Sequence, residues 1–81
     1  MNYGYVEGIP ASDGEWQDAY VLGISQPLSS FIGEWIAVIR RRDDVEDKWV
    51  VAPEGLCLTA EEIRKQTFFQ ERFFDSFVEM L

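Results

Sequence analysis

The order of strand and helix signals is the feature that most constrains this sequence. Short strand-like segments, broken by glycine and proline, fill the first two thirds, and neither residue occurs after Gly55. Residues 59–62 (TAEE) match a capping box, in which Thr59 accepts a hydrogen bond from the Glu62 amide and Glu62 bonds back to Thr59. We therefore predict an α+β fold with a C-terminal amphipathic α-helix over residues 59–80.

One side of this predicted helix collects large apolar residues. At 100° per residue, most of those in the last third fall within about half of the circumference. They are Ile63, Phe69, Phe73, Phe74, Phe77, Val78, Met80 and Leu81. A face this wide covers more than three short strands can bury. We expect either a second chain on it, giving a dimer or larger homo-oligomer through the helix, or a missing part of the domain.

Three segments have the composition of strands, namely residues 18–24, 31–41 and 48–52, and residues 2–6 are a less marked fourth candidate. Residues 25–30 read as a turn and 43–47 as a charged loop. The segment 31–41 is apolar on both faces, which predicts a barrel or a sheet covered by a helix and a neighbour.

Charge and composition exclude several classes of function. The 81 residues allow one domain, and seven Lys and Arg against fifteen Asp and Glu give a net charge of -8. Nucleic acid and anionic membranes are therefore not expected partners. The sequence has no histidine, which excludes imidazole chemistry, and its single cysteine, Cys57, is expected to be a small core residue. With no transmembrane-length apolar run and no signal peptide pattern, we expect a cytoplasmic protein.

Two acidic clusters are candidate metal ligands. The first is DGEWQD at residues 13–18, and the second is DDVED at 43–47, followed by Lys48. If the strands beside them are neighbours, both clusters lie at one end of the sheet. Carboxylate oxygens are the ligands that Mg²⁺ prefers, although acidic loops are more often solvated turns. Lys48 either contacts a phosphate oxygen or caps the strand edge.

Three consecutive arginines, Arg40, Arg41 and Arg42, stand out in this acidic sequence. They form either an anion clamp beside the acidic cluster or ion pairs with neighbouring carboxylates. We favour the ion pairs, because pairing is the commoner fate of such charges.

The motifs together resemble the soluble, Mg²⁺-dependent inorganic pyrophosphatases. NYGY at residues 2–5 and DGEWQD at 13–18 correspond to the family's Tyr-Gly-Tyr segment and its Asp-Gly-Asp-Pro-x-Asp motif, which opens a strand. EDKWVVAP at 46–53 looks like the family's second acidic stretch and the following strand. The resemblance covers nearly all of the sequence. It implies a partial OB-like β-barrel of about three to five strands plus the C-terminal helix, as one domain over residues 1–81 without the family's N-terminal strands.

The resemblance also implies an activity and its residues. The activity is Mg²⁺-dependent hydrolysis of pyrophosphate to phosphate by direct attack of metal-bound water, with pyrophosphate entering as its metal complex. The implied metal ligands are Asp13, Asp18, Asp43 and Asp47, with Asp44 as an alternative to Asp43. The implied catalytic residues are Glu15 and Asp18, and the implied substrate contacts are Tyr3 and Lys48. Arg42, from the arginine triplet, is a further candidate substrate contact.

The sequence departs from the family pattern at the centre of the first motif. Glu15 replaces an aspartate and Trp16 replaces a proline. The family's N-terminal phosphate-binding Lys and Arg have no counterpart either. Two alternatives therefore stay open. One is a catalytically inactive family member or fragment that acts as a metal-binding or protein-interaction module, and the other is a small interaction module whose acids are only solvated.

Overall fold

A computed structural model describes residues 2–11, 14–24, 32–43 and 46–81. Five strands and one helix lie within them: β1 (Asn2–Pro10), β2 (Trp16–Val21), β3 (Glu34–Arg41), β4 (Asp47–Ala52), α1 (Ala60–Glu71) and β5 (Ser76–Met80). The predicted turn at 25–30 and the candidate ligands Asp13 and Asp44 lie outside the described residues. The predicted strands appear as β2, β3 and β4, and the fourth candidate appears as a longer β1.

The strands form one mixed sheet in the order β1-β2-β4-β3-β5. β1 pairs antiparallel with β2, and β3 pairs antiparallel with both β4 and β5. The central pair, β2 with β4, is parallel, with Ala19 opposite Trp49 and Val21 opposite Val51. This parallel pair joins the two acidic clusters, because each cluster leads into one of its strands.

The α+β class is confirmed, and the OB-like barrel is not. The described strands form an open sheet whose two edges are β1 and β5. Closing a sheet into a barrel requires its edge strands to pair, and in the described ranges β1 pairs only with β2 and β5 only with β3. The structure therefore supports a small open mixed sheet with one helix.

The helix begins where the sequence predicts and ends earlier. Both capping-box bonds are present at 3.1 Å, from the Glu62 amide to the Thr59 hydroxyl and from the Thr59 amide to the Glu62 carboxylate. The prediction that it continues to residue 80 is wrong. The helix ends at Glu71, and residues 76–80 form β5. Pairing with β3 gives residues 76–80 the backbone hydrogen bonds of a strand. The local helical pattern contains no information about this alternative.

The predicted apolar face of the helix is also wrong. The buried stripe consists of Ile63, Thr67 and Glu71. Phe69 and Phe73, which were expected on that face, are 54% and 70% exposed. Phe77, Val78 and Met80 belong to β5 rather than to the helix. The homo-oligomer expected from that face stays a prediction.

The core lies between one face of the sheet and α1. Its buried members are Tyr20, Leu22, Ala37, Ile39, Val50 and Ile63, with Ile36, Leu58 and Val78 packed against them. Cys57 is exposed rather than buried, so its prediction as a core residue is wrong. It lies in the irregular segment between β4 and α1, outside the period of either element. Among the described helices, none has the length and apolar character needed to cross a membrane.

Candidate functional site

The candidate site is built around the ammonium group of Lys48, near the start of β4. Its side chain is only 4% exposed. The Lys48 Nζ lies 2.6 Å from Oδ2 of Asp18 and 3.7 Å from Oε2 of Glu46. The parallel pairing of β2 with β4 places Asp18 beside Lys48 across the strand boundary. A nearly buried cation therefore sits between two carboxylates.

Tyr3 contacts Lys48 from β1, which is separated from β4 by β2. The Lys48 Nζ lies 5.5 Å from the centroid of the Tyr3 ring. Burial raises the pKa of the Tyr3 hydroxyl, and Lys48 opposes this only in part. Burial alone would lower the pKa of Lys48, but its interactions with Asp18 and Tyr3 outweigh burial and raise it. At neutral pH the site therefore contains a charged ammonium and a neutral phenol.

A carboxylate-lined cavity opens beside this cation. Its volume is about 630 Å³, and its lining residues are Tyr5, Gly14, Glu15, Trp16, Asp18 and Glu46. The rings of Tyr5 and Trp16, 5.2 Å apart between centroids, are both part of this lining. Gly14 has a φ of +86°, which a glycine adopts without strain and which turns the chain just before Glu15. Three carboxylates from two loops and β2 therefore face one space.

A second buried network adjoins the first through Glu46. Arg41 donates two hydrogen bonds to Glu71, at 3.0 and 2.7 Å. The Tyr20 hydroxyl donates to the same carboxylate at 2.7 Å. Arg41 also lies 3.5 Å from Glu46. Glu46 thus connects Lys48 at the cavity to the ion pair that attaches α1 to the sheet.

The environment keeps the Glu71 carboxylate ionised. Burial alone would raise its pKa, but the hydrogen bonds from Arg41 and Tyr20 outweigh burial and lower it below the ordinary value of 4.5. The same carboxylate raises the pKa of Arg41 and, together with burial as the larger cause, that of Tyr20. Because Arg41 and Glu71 are both buried and hydrogen-bond each other, we assign this ion pair to stability rather than to ligand binding.

Four of the residues implied by the pyrophosphatase resemblance come together here. Tyr3 and Lys48 are in contact, Asp18 joins them, and Glu15 lines the adjoining cavity. This grouping needs the β1–β2 and β2–β4 pairings at once. From the sequence, the two acidic clusters were expected to meet if their strands were neighbours, and the family pattern added Tyr3 and Lys48.

Three other implied residues lie apart from this group. Asp47 accepts a hydrogen bond from Arg40 at 3.0 Å, and strand alternation places it on the sheet face opposite Lys48. The Asp43 carboxylate accepts from the Asp75 amide at 3.2 Å. The exposed Arg42 pairs with the Asp75 carboxylate at 3.0 Å. Asp13 lies outside the described residues.

The arginine triplet forms ion pairs, as favoured from the sequence. Arg40 pairs with Asp47 and with Glu79, and Arg41 pairs with Glu71. Each arginine has a carboxylate on a neighbouring element. These pairs fasten β3 to β4, α1 and the end of the chain.

Sequence reasoning missed Glu46 and the Tyr20–Arg41–Glu71 network. Glu46 had a local signal, since residues two apart on an extended chain share a face, and Lys48 follows it by two. The network had no such signal. Glu71 is 30 residues from Arg41 and 51 from Tyr20.

Cavity-lining oxygens have the chemistry that Mg²⁺ prefers, and Mg²⁺ often keeps several of its waters. Within residues 2–11, 14–24, 32–43 and 46–81, no three Asp, Glu, Cys or His side chains stand close enough to form a ready-made metal cage. The arrangement therefore fits a hydrated cation held by one or two carboxylates. Searches with protein-family models, among curated proteins and among solved structures gave no match.

Proposed function

We propose that this protein is an inorganic pyrophosphatase-like hydrolase that uses Mg²⁺ to convert pyrophosphate to phosphate. One observation carries the proposal. The nearly buried ammonium of Lys48 contacts Asp18, and Asp18 lines a cavity together with Glu15 and Glu46. A cation beside several carboxylates suits a highly charged phosphate substrate that arrives with a divalent metal.

Asp18 and Glu46 are the described residues that would hold Mg²⁺. When bound, Mg²⁺ neutralises phosphate charge and makes water a better nucleophile at neutral pH. Lys48 provides a compact positive charge for a phosphate oxygen, and its four-carbon stem lets it turn from Asp18 toward the substrate. The Tyr3 hydroxyl, neutral at this pH, donates a hydrogen bond to the same phosphate.

The proposal assigns Glu15, which lines the cavity, to the attacking water. In the proposed reaction, water oxygen attacks one phosphorus, and its proton passes to the Glu15 carboxylate. The bond from that phosphorus to the bridging oxygen breaks, and the second phosphate leaves with the bridging oxygen. Two phosphates form from pyrophosphate and one water, with no covalent intermediate on the protein.

The proposal changes one ligand relative to the resemblance. Glu46 takes the place of Asp47, because Glu46 lies within 3.7 Å of Lys48 and lines the cavity while Asp47 bonds to Arg40 on the other face. The OB-like barrel implied by the resemblance belongs to the same proposal. It requires an additional strand between the edges β1 and β5.

A second candidate is metal binding without turnover. The described lining of the cavity contains three acids and no Lys or Arg. Lys48 contacts two of these acids, Asp18 and Glu46, but is not part of the described lining. Phosphoryl transfer usually depends on several positive groups around the transferred phosphate. A module that binds Mg²⁺ and does not hydrolyse pyrophosphate would need only the carboxylates.

The deciding experiment measures phosphate release from pyrophosphate in excess Mg²⁺, with Mg²⁺ binding followed by calorimetry. We expect Asp18→Asn to lower turnover at least about 100-fold, as small displacements of catalytic groups do. Glu46→Gln should weaken Mg²⁺ binding. Asp47→Asn should leave Mg²⁺ binding unchanged, because the proposal assigns Glu46 rather than Asp47 as the ligand. Glu61→Gln is the matched control, since Glu61 lies on the exposed side of α1 and pairs with Lys65 of the same helix.

The two measurements separate the candidates. Turnover that is lost in Asp18→Asn and kept in Glu61→Gln supports the hydrolase. Mg²⁺ binding that depends on Asp18, without turnover in the unmodified chain, supports the second candidate. No Mg²⁺ binding in the low-millimolar range contradicts both.

A further inference from the structure

The outer edge of the sheet at β5 has unused hydrogen-bonding groups. The residues of β5 that bond to β3 alternate with those that face away, as the flanking bonds show. The Arg42 amide donates to the Asp75 carbonyl at 2.7 Å, and the Leu81 amide donates to the Ile36 carbonyl at 3.1 Å. By this alternation, the amides and carbonyls of Ser76, Val78 and Met80 point outward. They have no backbone partner within the described ranges. Such an edge is a template for another strand.

Exposed apolar side chains are concentrated in the same part of the molecule. Six large ones lie between residues 68 and 81, and each is more than a third exposed: Phe68, Phe69, Phe73, Phe77, Met80 and Leu81. Of these, Phe77 and Met80 lie on β5 itself, so the edge strand offers exposed apolar side chains as well as backbone groups.

Two cations near this edge lack the ion pairs that the other Lys and Arg residues form among the described residues. All seven Lys and Arg residues are described, and five of them pair with a carboxylate: Arg40, Arg41, Arg42, Lys48 and Lys65. Arg64 and Arg72 have no carboxylate partner among the described residues. Both line a cavity of about 260 Å³ between α1 and β5, which Ser76 and Val78 also line. Among the described residues, the two cations without a carboxylate partner therefore lie beside the β5 edge, in a cavity whose own carboxylates, Glu71 and Asp75, pair with Arg41 and Arg42.

We propose that the β5 edge binds an extended segment of a partner protein, which adds a sixth strand to the five described and places carboxylates at Arg64 and Arg72. Alternation along the added strand defines the ligand. Side chains on the α1 side of the sheet meet the two arginines, and those on the other side meet the exposed ring of Phe77. The fitting partner is an extended segment with alternating acidic and apolar residues.

Charge complementarity favours this partner over two other occupants. A second copy pairing through its own β5 offers only Glu79 as a carboxylate, and Glu79 lies on the face opposite α1, where it pairs with Arg40. A small anion would satisfy the arginines and leave the three outward amides without partners. The proposal does not depend on the hydrolase activity or on the residues assigned to it, but it competes with barrel closure, in which an additional strand would occupy the β5 edge.

Two blocked hexapeptides test the proposal: acetyl-(Glu-Val)₃-amide and its neutral counterpart acetyl-(Gln-Val)₃-amide. Binding to the full chain is followed by ¹⁵N NMR. With the acidic probe we expect shifts at the amides of residues 76–80 and slower hydrogen exchange at Val78 and Met80. The neutral probe should bind roughly fivefold more weakly, since two exposed ion pairs contribute modestly.

Matched variants assign the preference to the arginines. The double variant Arg64→Gln/Arg72→Gln should bind both probes equally. Lys65→Gln removes the same charge from the same helix, away from the cavity, and should keep the fivefold preference. Equal preference in the double variant and in the unmodified chain would overturn the proposal, as would unchanged edge amides. A dimer in sedimentation whose β5 amides are already protected without a probe would also overturn it and assign the edge to a second copy.

Discussion

At the scale of single residues, Glu71 is a buried carboxylate that connects α1 to two strands. It belongs to the helix, it is 5% exposed, and it accepts hydrogen bonds from Arg41 on β3 and Tyr20 on β2. The Arg41 guanidinium also lies 3.6 Å from the centroid of the Phe74 ring. An unpaired buried charge is far more costly than a buried pair. The stability of the helix on the sheet is therefore sensitive to the protonation of one carboxylate.

This sensitivity predicts the response to acid. Because the pKa of Glu71 is below 4.5 in the folded protein, its contribution to stability is full above that value and is lost as pH falls through the folded pKa. Glu71→Gln should lower the free energy of unfolding by about 3–5 kcal/mol at neutral pH, and this difference should shrink on acidification. Urea denaturation across that pH range measures it.

Two further variants control the acid experiment. Tyr20→Phe removes one hydrogen bond, should cost about 1 kcal/mol, and stays measurable if Glu71→Gln does not fold. Glu54→Gln changes an exposed carboxylate and should match the unmodified chain. A Glu71→Gln difference that stays constant with pH would contradict the assignment.

The residue scale also shows what sequence could and could not supply. Lys48, Asp18 and Tyr3 were identified because their motifs resemble a family whose site unites them. Glu46 was passed over because Asp47 beside it carries the same charge, and only the direction of the strand separates the two. Glu71 carried no signal, since a polar residue between phenylalanines on a helix is ordinarily exposed.

At the scale of elements, α1 depends on its first turn and on the Glu71 ion pair more than on apolar burial. The buried stripe of Ile63, Thr67 and Glu71 contains one apolar residue in three, and the Thr67 hydroxyl bonds back to the Ile63 carbonyl at 2.9 Å. Apolar burial therefore contributes less than in an ordinary amphipathic helix. The capping box at Thr59 and Glu62 supplies two of the hydrogen bonds that the first turn lacks.

A cap substitution measures this dependence. Thr59→Ala should lower the free energy of unfolding by about 1 kcal/mol, because the Glu62 amide loses its acceptor. Thr59→Asp keeps an acceptor oxygen and should stay close to the unmodified chain. Urea denaturation of both variants decides the point. Equal losses in the two would mean that the hydroxyl is not acting as the cap.

The start of α1 was predictable and its end was not, for a physical reason. The cap is local and is written in four consecutive residues. The change from helix to strand after Glu71 depends on hydrogen bonds between β5 and β3, nearly 40 residues earlier in the chain, where Arg40 pairs with Glu79 across a separation of 39. Residues 76–80 fit a helical period and a strand period equally well, because a run this short is ambiguous.

At the scale of the whole molecule, the sheet consists of two antiparallel parts joined by one parallel pair. β1 and β2 form the first part, and β4, β3 and β5 form the second. Lys48 and Asp18 face each other across the joint, and the Gln17 side chain donates to the Asp47 carbonyl there at 2.6 Å. A ligand that binds both sides of this joint stabilises the whole fold.

Mg²⁺ should therefore raise the thermal midpoint of unfolding. At about ten times its dissociation constant, a ligand of the folded state adds roughly 1.4 kcal/mol, which corresponds to about 6–10 °C for a domain of this size. Calorimetric scans with Mg²⁺ and with NaCl of equal ionic strength measure the effect. Asp18→Asn should abolish it. An equal shift in NaCl would mean that charge screening, rather than Mg²⁺ binding, raises the thermal midpoint.

The parallel joint also pairs two strands that are distant in the chain. The β1–β2 and β3–β4 pairs connect consecutive strands, whereas Lys48 and Asp18 are 30 residues apart and the β3–β5 pair folds back through α1 over 35 to 43 residues. Closing so long a loop has an entropic cost that only the completed joint repays. The cation between two carboxylates exists in neither half alone. The time at which a ligand first binds during refolding should therefore report when the two halves of the sheet associate.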